Sequence, residues 1–328
     1  MKILFITATR IGDAVLSTGI LTHLLTQHPS ARVTVACGAP AAGLFAGRPN
    51  IDRVLVIDKK PYGRHWLELW GNVILNRWDI VVDLRRSAIA YCLWAKNRYI
   101  APKTNDNTHR VVDLAATLGL SSPPAPTLWI GESARENARK LISDLGSRPL
   151  LCVGPTANWG GKMWRGENFI ELIRRITAPQ SPYAGSRIAI FGAAHEKSQA
   201  QPVIDGLIAA GLPVTDLLGK PDLLTCAAIF SAADLYIGND SGLMHIAAAS
   251  GGNVLGLFGP SPAVNYAPWP SGNGRAAFVQ TAIPFLNLVY DPSFDHRSQK
   301  SLMDSLTVDM AEHAVYQLWR EIKMGKAA

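Results

Sequence analysis

A polar turn interrupts the apolar residues near the start of the sequence. Arg10, Gly12 and Asp13 follow the apolar run "KILFIT" (2–7) and precede a second apolar stretch with helical spacing. A carboxylate in such a turn can accept a proton from a substrate hydroxyl, or it can simply interact with the N–H groups at the start of a helix. The residues alone leave both roles open for Asp13.

A second polar turn, in "YIGNDSGLMH" (236–245), has the chemistry of an anion site. Asp240, Ser241 and Gly242 follow a buried strand pattern and precede a helix that contains His245. Such a turn presents free backbone N–H groups, a hydroxyl and the positive end of the helix dipole, which together suit a phosphate or diphosphate. The alternative is that Asp240 only caps the helix and that His245 only packs inside it.

Two further turns follow predicted strands. The glycine-rich loop "VGPTANWGGKMW" (153–164) carries Thr156 and Lys162, yet it lacks the spacing of a P-loop. Lys162 therefore either binds phosphate or is an ordinary solvated lysine. In "FGAAHEKS" (191–198), Glu196 can accept hydrogen bonds from a ribose diol or can favour a helix N-terminus.

The sequence offers no recognisable metal-binding pattern. It contains no Asp-x-Asp motif and no clustered His and Asp residues, so we expect neither a metal nor a bound cofactor. If a diphosphate leaves at this site, its negative charge must be stabilised by Lys162 and by the helix that starts near Ser241. The four cysteines are far apart and form no CxxC pair, which predicts buried free thiols.

Short apolar runs alternate with helical patterns along the chain. The alternation stops at the proline-rich segment "SSPPAPTLWI" (121–130) and then starts again. Two such runs predict two doubly wound α/β sheets, whose ligands bind beyond the carboxyl ends of the strands. The predicted strands are 2–7, 31–37, 54–58, 79–84, 149–155, 187–193, 213–219, 233–239 and 253–259, and the main predicted helices are 13–27, 65–75, 132–145, 166–177 and 308–322.

Charge is distributed unevenly between the two halves of the chain. The net charge of +7 comes from residues 1–150, which hold 19 Lys and Arg against 11 Asp and Glu, while the remainder holds 13 against 14. The first half therefore suits an anionic partner such as a nucleic acid, a lipid head group or a phosphorylated glycan, or it is merely a basic surface. No RNA or DNA motif accompanies the scattered basic residues, so we expect no nucleic-acid partner.

The N-terminal segment also bears on location. Arg10 and Asp13 interrupt the first apolar run too early for a signal sequence, and no later run is long and uncharged enough to span a membrane. We therefore expect a cytoplasmic protein. At 328 residues, of which 48% are hydrophobic, the chain is long enough for two domains.

Several segments together resemble one enzyme family. The segments are "RIGDAVLSTGILTHLLTQ", "RWDIVVDLR", "NTHRVVDLAATLGL", "GPTANWGGKMW", "FGAAHEKS" and "YIGNDSGLMHIAAASG" followed by "LGLFGPSP". Their types and order resemble glycosyltransferase family 9, the lipopolysaccharide heptosyltransferase family. The resemblance implies a GT-B fold, in which two Rossmann-like domains face an interdomain cleft. It implies an acceptor-binding domain at 1–147, a nucleotide-sugar domain at 148–307, and a terminal helix, 308–328, that packs back on the first domain.

The resemblance also implies a role for individual residues. Asp13, directly after Gly12, looks like the general base. Donor-binding roles fall on the residues of the three later turns, which are Thr156, Lys162, Glu196, Asp240, Ser241, Gly242 and His245. We further expect contacts to acidic groups of the acceptor at Arg10, Gly12, Arg85, Arg86, His109 and Arg110. Gly19 stands where the family usually has proline, and "LRRS" (84–87) replaces a more neutral stretch.

The function implied is an inverting, metal-independent transfer of heptose from ADP-heptose to a lipopolysaccharide core or a related glycolipid. The enzyme would be a monomer in the cytoplasm, peripheral to the inner membrane. Two alternatives stay open: a nucleotide-sugar epimerase on a similar scaffold, and a non-catalytic relative that binds a nucleotide or a glycan.

Overall fold

Two parallel sheets form the framework of the protein. The structure is a computed structural model, and it describes residues 1–143, 149–282 and 300–327. The contacts within the chain separate it into two units, Met1–Gly131 and Glu132–Ala328, and each unit contains one of the sheets.

The first unit has a five-stranded sheet in the order β3-β2-β1-β4-β5. The chain winds outward from β1 and then returns to its other side at β4, so the loops that follow β1 and β4 lie side by side. The N–H of Leu84 donates to the carbonyl of Ile6 at 2.9 Å across this junction. The elements are β1 (Lys2–Ile6), α1 (Ile11–Gln27), β2 (Arg32–Cys37), β3 (Ile51–Val56), α2 (Arg64–Val73), β4 (Trp78–Asp83), β5 (Ala95–Ile100) and α3 (Arg110–Ala116).

The second unit repeats the plan with six strands in the order β11-β10-β9-β6-β7-β8. Its winding reverses between β6 and β9, which places the loops after these two strands next to each other. The elements are α4 (Glu132–Ile142), β6 (Leu150–Gly154), α5 (Gly166–Thr177), β7 (Arg187–Ile190), α6 (Lys197–Ala209), β8 (Val214–Asp216), α7 (Leu223–Ala232), β9 (Leu235–Asn239), α8 (Gly242–Ala249), β10 (Val254–Phe258), α9 (Ala263–Tyr266), β11 (Ala276–Gln280) and α10 (Val308–Ala327).

The two doubly wound sheets confirm the fold predicted from the alternation of strands and helices. Every residue of β6, β9 and β10 is buried, as expected for parallel strands covered on both faces. The strands that the pattern missed, β5 and β11, both lie at a sheet edge. Their sequences "AKNRYI" and "AAFVQ" are partly exposed, so neither has the continuous apolar run that identifies an inner strand.

The predicted domain boundary, after residue 147, falls outside the described residues. The division by contacts comes earlier, after Gly131. Helix α4 belongs to the second unit because it packs on α7, with Ala134 and Ala138 buried. The chain therefore passes to the second unit directly after the proline-rich segment.

The terminal helix does not pack where the resemblance predicts. Helix α10 packs on α5, β10 and β11 of the second unit, and not on the first unit as predicted. Its residues Ala311, Val315 and Leu318 recur at helical spacing and are buried in the core of the second unit. This apolar stripe matches the face offered by α5, and Arg175 of α5 bonds Asp309 at 2.7 Å and Glu312 at 3.0 Å.

Gly19 allows close packing inside the first unit. A Cβ at this position would overlap the carbonyl oxygen of Pro124 and would lie 2.8 Å from that of Ala125. We expect Gly19→Ala to destabilise the protein by about 1–3 kcal/mol, because a backbone cannot yield as a flexible side chain can. The matched control is Gly71→Ala in α2, where nothing lies within 4 Å of the added Cβ.

The two substitutions should therefore change the free energy of unfolding in opposite directions. Gly71→Ala should gain up to about 1 kcal/mol from helix propensity alone. Chemical denaturation of both variants measures the difference. A stabilised Gly19→Ala variant would contradict the close approach of α1 to the segment at Pro124.

The four cysteines form no disulfide, as the sequence predicts, but they are not all buried. Burial raises the pKa of Cys37 to about 12 and that of Cys226 to about 12, and it also raises the pKa of Cys152. Cys92 is exposed. We expect an aromatic disulfide reagent at about pH 8 to modify Cys92 rapidly and the other thiols only after unfolding, because a protonated buried thiol is a poor nucleophile.

Mass spectrometry of the native protein checks this expectation. Cys92→Ser should abolish the fast phase of modification. Rapid labelling of Cys37, Cys152 or Cys226 in the folded protein would contradict their burial.

Candidate active site

An ion pair joins the two neighbouring loops of the second unit. Lys162 Nζ lies 2.6 Å from Asp240 Oδ2, and the side chains are 25% and 6% exposed. Lys162 follows β6 and Asp240 follows β9, so the reversal of winding between these strands brings the two residues together. The lysine is therefore held in place at the carboxyl ends of the strands, and it is not an ordinary solvated lysine.

Asn239 connects these loops through its side chain. Its amide nitrogen donates to the carbonyl of Pro155 at 2.8 Å, and its amide oxygen accepts from the N–H of Trp164 at 3.1 Å. The side chain is fully buried, so both of its bonds are made in a site shielded from water. Asn239 is not among the predicted site residues, although a polar residue in the last position of a buried strand is a usable signal.

The segment after β10 passes directly against the Lys162 loop. A Cβ at Gly259 would lie 2.8 Å from the carbonyl oxygen of Gly161 and 3.1 Å from the Cα of Lys162. Glycine is therefore required at this position of "LFGPSP". The close approach limits the conformations that the loop around Lys162 can take.

Tyr236 lies beneath the same junction. Its side chain is fully buried, and its hydroxyl occupies the space that a Cβ at Gly154 would need; a Cβ at Gly238 would lie 2.6 Å from the same oxygen. Burial raises the pKa of Tyr236, and the side chain of Ser241 partly offsets this effect. The phenol thus stays protonated and lies near Ser241. The sequence gives no sign of this contact, because Tyr236 stands within an apolar strand.

Helix α8 begins at the edge of this site. Ser241, and not Asp240, occupies its N-cap position, and the Ser241 side chain makes no capping hydrogen bond within the described part of the chain. His245 is buried one turn into the helix. Lys162 is paired with Asp240, and the Ser241 hydroxyl and the first amide groups of α8 follow Asp240 directly in the chain. Ammonium, hydroxyl and backbone N–H donors of this kind can bind an anion.

A second pair of predicted residues meets at the ends of β6 and β7. Thr156 Oγ1 donates to Glu196 Oε2 at 2.8 Å, and the N–H of Ala193 donates to the same oxygen at 2.8 Å. Gly192 lies alongside, since a Cβ there would be 3.0 Å from Thr156 Oγ1. Thr156 and Glu196 therefore act as one hydrogen-bonded unit beside the Lys162 loop.

In the first unit, Asp13 lies in the first turn of α1 and is partly buried. The turn is held from below by a hydrogen bond of 2.7 Å between Thr7 Oγ1 and Ser17 Oγ. Ser17 donates its own proton to the carbonyl of Ala14 at 2.7 Å, so Thr7 is the donor in that bond. Arg10 is the N-cap residue and is exposed, with an extended backbone.

A buried carboxylate organises the loop after β4. Asp83 accepts hydrogen bonds from the N–H of Arg85 at 2.9 Å and from both the N–H and the hydroxyl of Ser87 at 2.7 Å. Burial raises the pKa of Asp83, and these hydrogen bonds oppose the rise. Asp83 is not among the site residues predicted from the sequence, although an acidic residue at the end of an apolar strand is a usable signal.

Asp83 positions one of the predicted acceptor residues. The guanidinium of Arg85 lies over the ring of Trp66, 5.2 Å from its centroid, and Arg85 Nη1 is buried without a hydrogen-bond partner among the described residues. Arg86 is exposed and has a backbone φ of 54°. The loop thus holds one cation against an aromatic ring and leaves the next in solvent.

The remaining predicted acceptor residues have local partners. The His109 side chain caps α3 by accepting from the N–H of Val111 at 3.2 Å, and Arg110 lies 3.2 Å from Asp113. Both residues therefore stabilise the start of α3. Among the residues that the structure describes, no group of three or more His, Cys, Asp or Glu could hold a metal ion; the expectation of a metal-independent site remains a prediction.

Two Rossmann-like domains, with charged loops at the reversal of each sheet, define the α/β fold of GT-B glycosyltransferases. A family model described as glycosyltransferase family 9 (heptosyltransferase) matches residues 81–278, more than half of the chain. The chain belongs to glycosyltransferase family 9 and is an enzyme of the glycosyltransferase class. The matched range contains every predicted donor-binding residue.

Individual relatives agree with the family. Lipopolysaccharide heptosyltransferase 2 of Salmonella typhimurium (strain LT2) is 24% identical over 305 residues, which cover 80% of this chain and 83% of that protein. The fold is similar to that of a family 9 glycosyl transferase from Veillonella parvula, with a TM-score of 0.76, 20% identity and coverage of 98% and 97% of the two chains. It is also similar to E. coli ADP-heptose LPS heptosyltransferase II, with a TM-score of 0.72, 17% identity and coverage of 98% and 100%.

The ion pair at the centre of the site generates a stability prediction. Lys162→Met should lower the free energy of unfolding by about 1–3 kcal/mol, because it leaves the Asp240 carboxylate buried without its counter-charge. Asp240→Asn in the same chain should restore most of that loss, since the remaining amide carries no charge. Urea denaturation of the two single variants and the double variant measures the coupling between the residues.

A double variant that is no more stable than Lys162→Met would contradict the pairing. The matched control is the exposed pair of Arg165 and Asp304, whose atoms are 2.6 Å apart at side-chain exposures of 56% and 58%. Its coupling should be below about 1 kcal/mol, because water screens exposed charges.

Proposed function

We propose that this enzyme transfers heptose from ADP-heptose to a lipopolysaccharide core or a related glycolipid, with inversion and without a metal. The names of its relatives support the sugar, the nucleotide and the acceptor: the Salmonella relative is a lipopolysaccharide heptosyltransferase, and the E. coli structure is that of an ADP-heptose enzyme. The proposed donor-binding domain is the second unit, and the proposed acceptor-binding domain is the first.

The observation that carries the proposal is the position of Lys162. Its ammonium lies 2.6 Å from Asp240, beside the start of α8. The diphosphate of a nucleotide sugar would meet this cation, the amide groups of α8 and the Ser241 hydroxyl. Because these donors are already in place, little reorganisation is needed as charge develops on the leaving group. Gly242 provides room for the phosphates to approach the backbone.

The remaining donor residues follow from the same geometry. Glu196 is held by Thr156 and by the N–H of Ala193, which orients its carboxylate for the hydroxyls of a ribose. Thr156 would then lie on the side of the nucleotide base. We assign His245, one turn into α8, to the sugar side of the diphosphate.

The proposed chemistry is a single displacement. A hydroxyl of the acceptor attacks the anomeric carbon of heptose while its proton passes to the Asp13 carboxylate. The bond between the anomeric carbon and the diphosphate oxygen breaks, and its electron pair leaves with ADP. One displacement inverts the anomeric centre, and Lys162 with the α8 amides neutralises the departing charge.

Acceptor recognition is assigned to the basic residues of the first unit. Arg85 is the strongest candidate, because its guanidinium has a buried nitrogen without a hydrogen-bond partner in the described residues. Arg10 and Arg86 are exposed and offer further positive charge. We also propose that the enzyme acts as a monomer in the cytoplasm at the inner-membrane surface, where a glycolipid acceptor would lie.

Asp13→Asn tests the proposed base. Turnover of ADP-heptose with a heptose-deficient lipopolysaccharide acceptor should fall by about 10²- to 10⁴-fold, because the amide cannot accept the proton. The thermal shift produced by ADP should stay unchanged, since Asp13 belongs to the first unit and the donor residues to the second. The matched control is Asp58→Asn, an exposed aspartate of the first unit, which should keep full activity.

Two results would reject parts of this proposal. Near wild-type turnover of the Asp13→Asn variant would exclude Asp13 as the base. Conversion of ADP-heptose in the absence of acceptor would indicate an epimerase, and ADP binding with no product under any condition would indicate a non-catalytic relative.

A further inference from the structure

Helix α2 has an apolar face that is wider than the part it buries. Leu69 and Val73 point into the core of the first unit and are 4% and 1% exposed. Leu67 and Trp70 lie on the adjoining side of the helix and are 70% and 40% exposed. The helix therefore presents a second row of large apolar side chains that the first unit does not cover.

Further exposed apolar residues belong to the same surface. The indole N–H of Trp70 donates to the carbonyl of Cys92 at 3.4 Å, which places the neighbouring Tyr91 beside α2. Trp78 joins the end of α2 to Trp94, because its indole N–H donates to the Val73 carbonyl at 3.1 Å and its backbone N–H donates to the Trp94 carbonyl at 2.9 Å. These bonds bring segments 62–75 and 91–94 together.

The most exposed large apolar side chains of the described residues are concentrated on this surface. Single exposed apolar residues are normal on proteins, but contiguous groups mark interaction sites. Among the large apolar side chains that the structure describes, those exposed by 70% or more all lie between residues 62 and 94. They are Tyr62 at 102%, Leu67 at 70%, Leu75 at 94%, Tyr91 at 71% and Trp94 at 72%. These five residues and Trp70 form what we call the aromatic surface.

Tyr62 has an unusual backbone conformation. Its φ is 54°, in the left-handed region that residues other than glycine rarely adopt. Its ring makes no use of this conformation inside the unit, because the residue is wholly exposed. The chain thus holds an aromatic ring outward just before α2.

Positive charge predominates in the segment of the chain that carries the aromatic surface. Residues 59–98 contain eight Lys and Arg but only three acidic residues. Of these three, Asp83 is buried, Glu68 is paired with Lys60 at 2.6 Å, and Asp79 accepts a hydrogen bond from the N–H of Lys2 at 2.7 Å. Arg64, Arg77 and Lys96 are exposed. The complementary partner is therefore both apolar and anionic.

We propose that the aromatic surface docks this enzyme on an anionic phospholipid bilayer, with α2 lying in the plane of the head groups. Tryptophan and tyrosine prefer the membrane–water interface, and exposed Lys and Arg are attracted to anionic head groups. An amphipathic helix with a basic polar side binds membranes in this orientation. Within the described residues, no helix is both long and apolar enough to cross a bilayer, so this mode of contact is peripheral.

The surface also connects to the proposed acceptor site, and its biological purpose rests on the proposed function. Trp66, on the same helix, supports the guanidinium of Arg85 at 5.2 Å. A helix docked at the head groups would hold Arg85 close to the membrane that carries a glycolipid acceptor. The docking itself needs neither donor nor acceptor, so it can be measured separately.

Co-sedimentation with vesicles tests the proposal. The full chain, without donor or acceptor, should sediment with vesicles of phosphatidylethanolamine and phosphatidylglycerol and remain in solution with phosphatidylcholine alone. The triple variant Leu67→Gln, Leu75→Gln, Trp94→Gln should bind the anionic vesicles about tenfold more weakly or worse, because it removes apolar groups from the head-group region. All three side chains are exposed, so the fold should be unaffected.

The matched control changes exposed apolar residues of the second unit. The substitutions are Ile208→Gln, Val264→Gln and Met324→Gln, at exposures of 55%, 55% and 67%. This variant should bind as the wild type does. Equal weakening by both triple variants would overturn the proposal, because binding would then not depend on the aromatic surface.

A second arm tests the charge. Replacing Arg64, Arg77 and Lys96 with Gln should weaken binding to anionic vesicles and reduce its salt dependence. Replacing three exposed arginines elsewhere, Arg53, Arg135 and Arg320, should do so to a much smaller extent. An environment-sensitive fluorophore on the exposed Cys92 should shift to the blue only with anionic vesicles.

Three results would overturn the proposal: no binding of the wild type to anionic vesicles, equal binding to phosphatidylcholine, or a dimer in solution that the Leu67, Leu75, Trp94 variant converts to a monomer. The last would show that the surface joins two copies of the chain. Turnover with a detergent-solubilised acceptor separates the two proposals. Vesicle binding without turnover would reject only the proposed function. Turnover without vesicle binding would reject only the proposed docking.

Discussion

The ion pair between Lys162 and Asp240 depends on one constraint of the fold, the reversal of winding between β6 and β9. Parallel strands end at the same edge of a sheet, and the reversal leaves the loops after these two strands without a helix between them. Asn239, at the end of β9, makes two hydrogen bonds to the loop after β6, and Gly259 lets the segment after β10 pass against that same loop. The start of α8 thereby follows directly on the partner of a lysine, and this is the proposed anion site.

In the first unit, a buried carboxylate fixes the loop at the reversal of winding. Its sheet reverses between β1 and β4, and Asp83 at the end of β4 is paired in register with Ile6 at the end of β1. Because Asp83 accepts three hydrogen bonds from its own loop, the loop that carries Arg85 is fixed beside the turn that carries Asp13. The two units thus place a proposed base and a proposed leaving-group site at equivalent positions of two similar sheets.

Helix α2 connects this arrangement to the proposed membrane contact. Its inner residues complete the core, Trp66 supports Arg85, and its outer residues form the aromatic surface. Leu69 and Val73 are buried against the first unit, whereas Leu67 and Trp70 stay exposed. The uncovered part follows from the helix sequence, and the basic residues of the same segment are the reason for proposing an anionic membrane as its partner.

Local patterns in the sequence were enough to predict most of the fold. Inner strands of a parallel sheet are apolar throughout, so the alternation of such runs with helices was sufficient to predict both sheets. The edge strands β5 and β11 were not predicted, because they are partly exposed to solvent and lack a continuous apolar run. The packing of α10 also escaped, because its buried stripe of Ala311, Val315 and Leu318 shows that one face is covered but not by which unit.

The sequence by itself determined which residue types stand at the ends of the strands: Asp13 after the first, Lys162 and Glu196 in later turns, and Asp240 with Ser241 before a helix. Only the tertiary structure decided which of them meet, because the order of strands in a sheet is not the order in the chain. It also brought in Asn239, Tyr236 and Asp83, whose contacts lie with distant residues or inside buried loops. Local sequence carries propensity and periodicity, whereas partners far apart in the chain are chosen by packing.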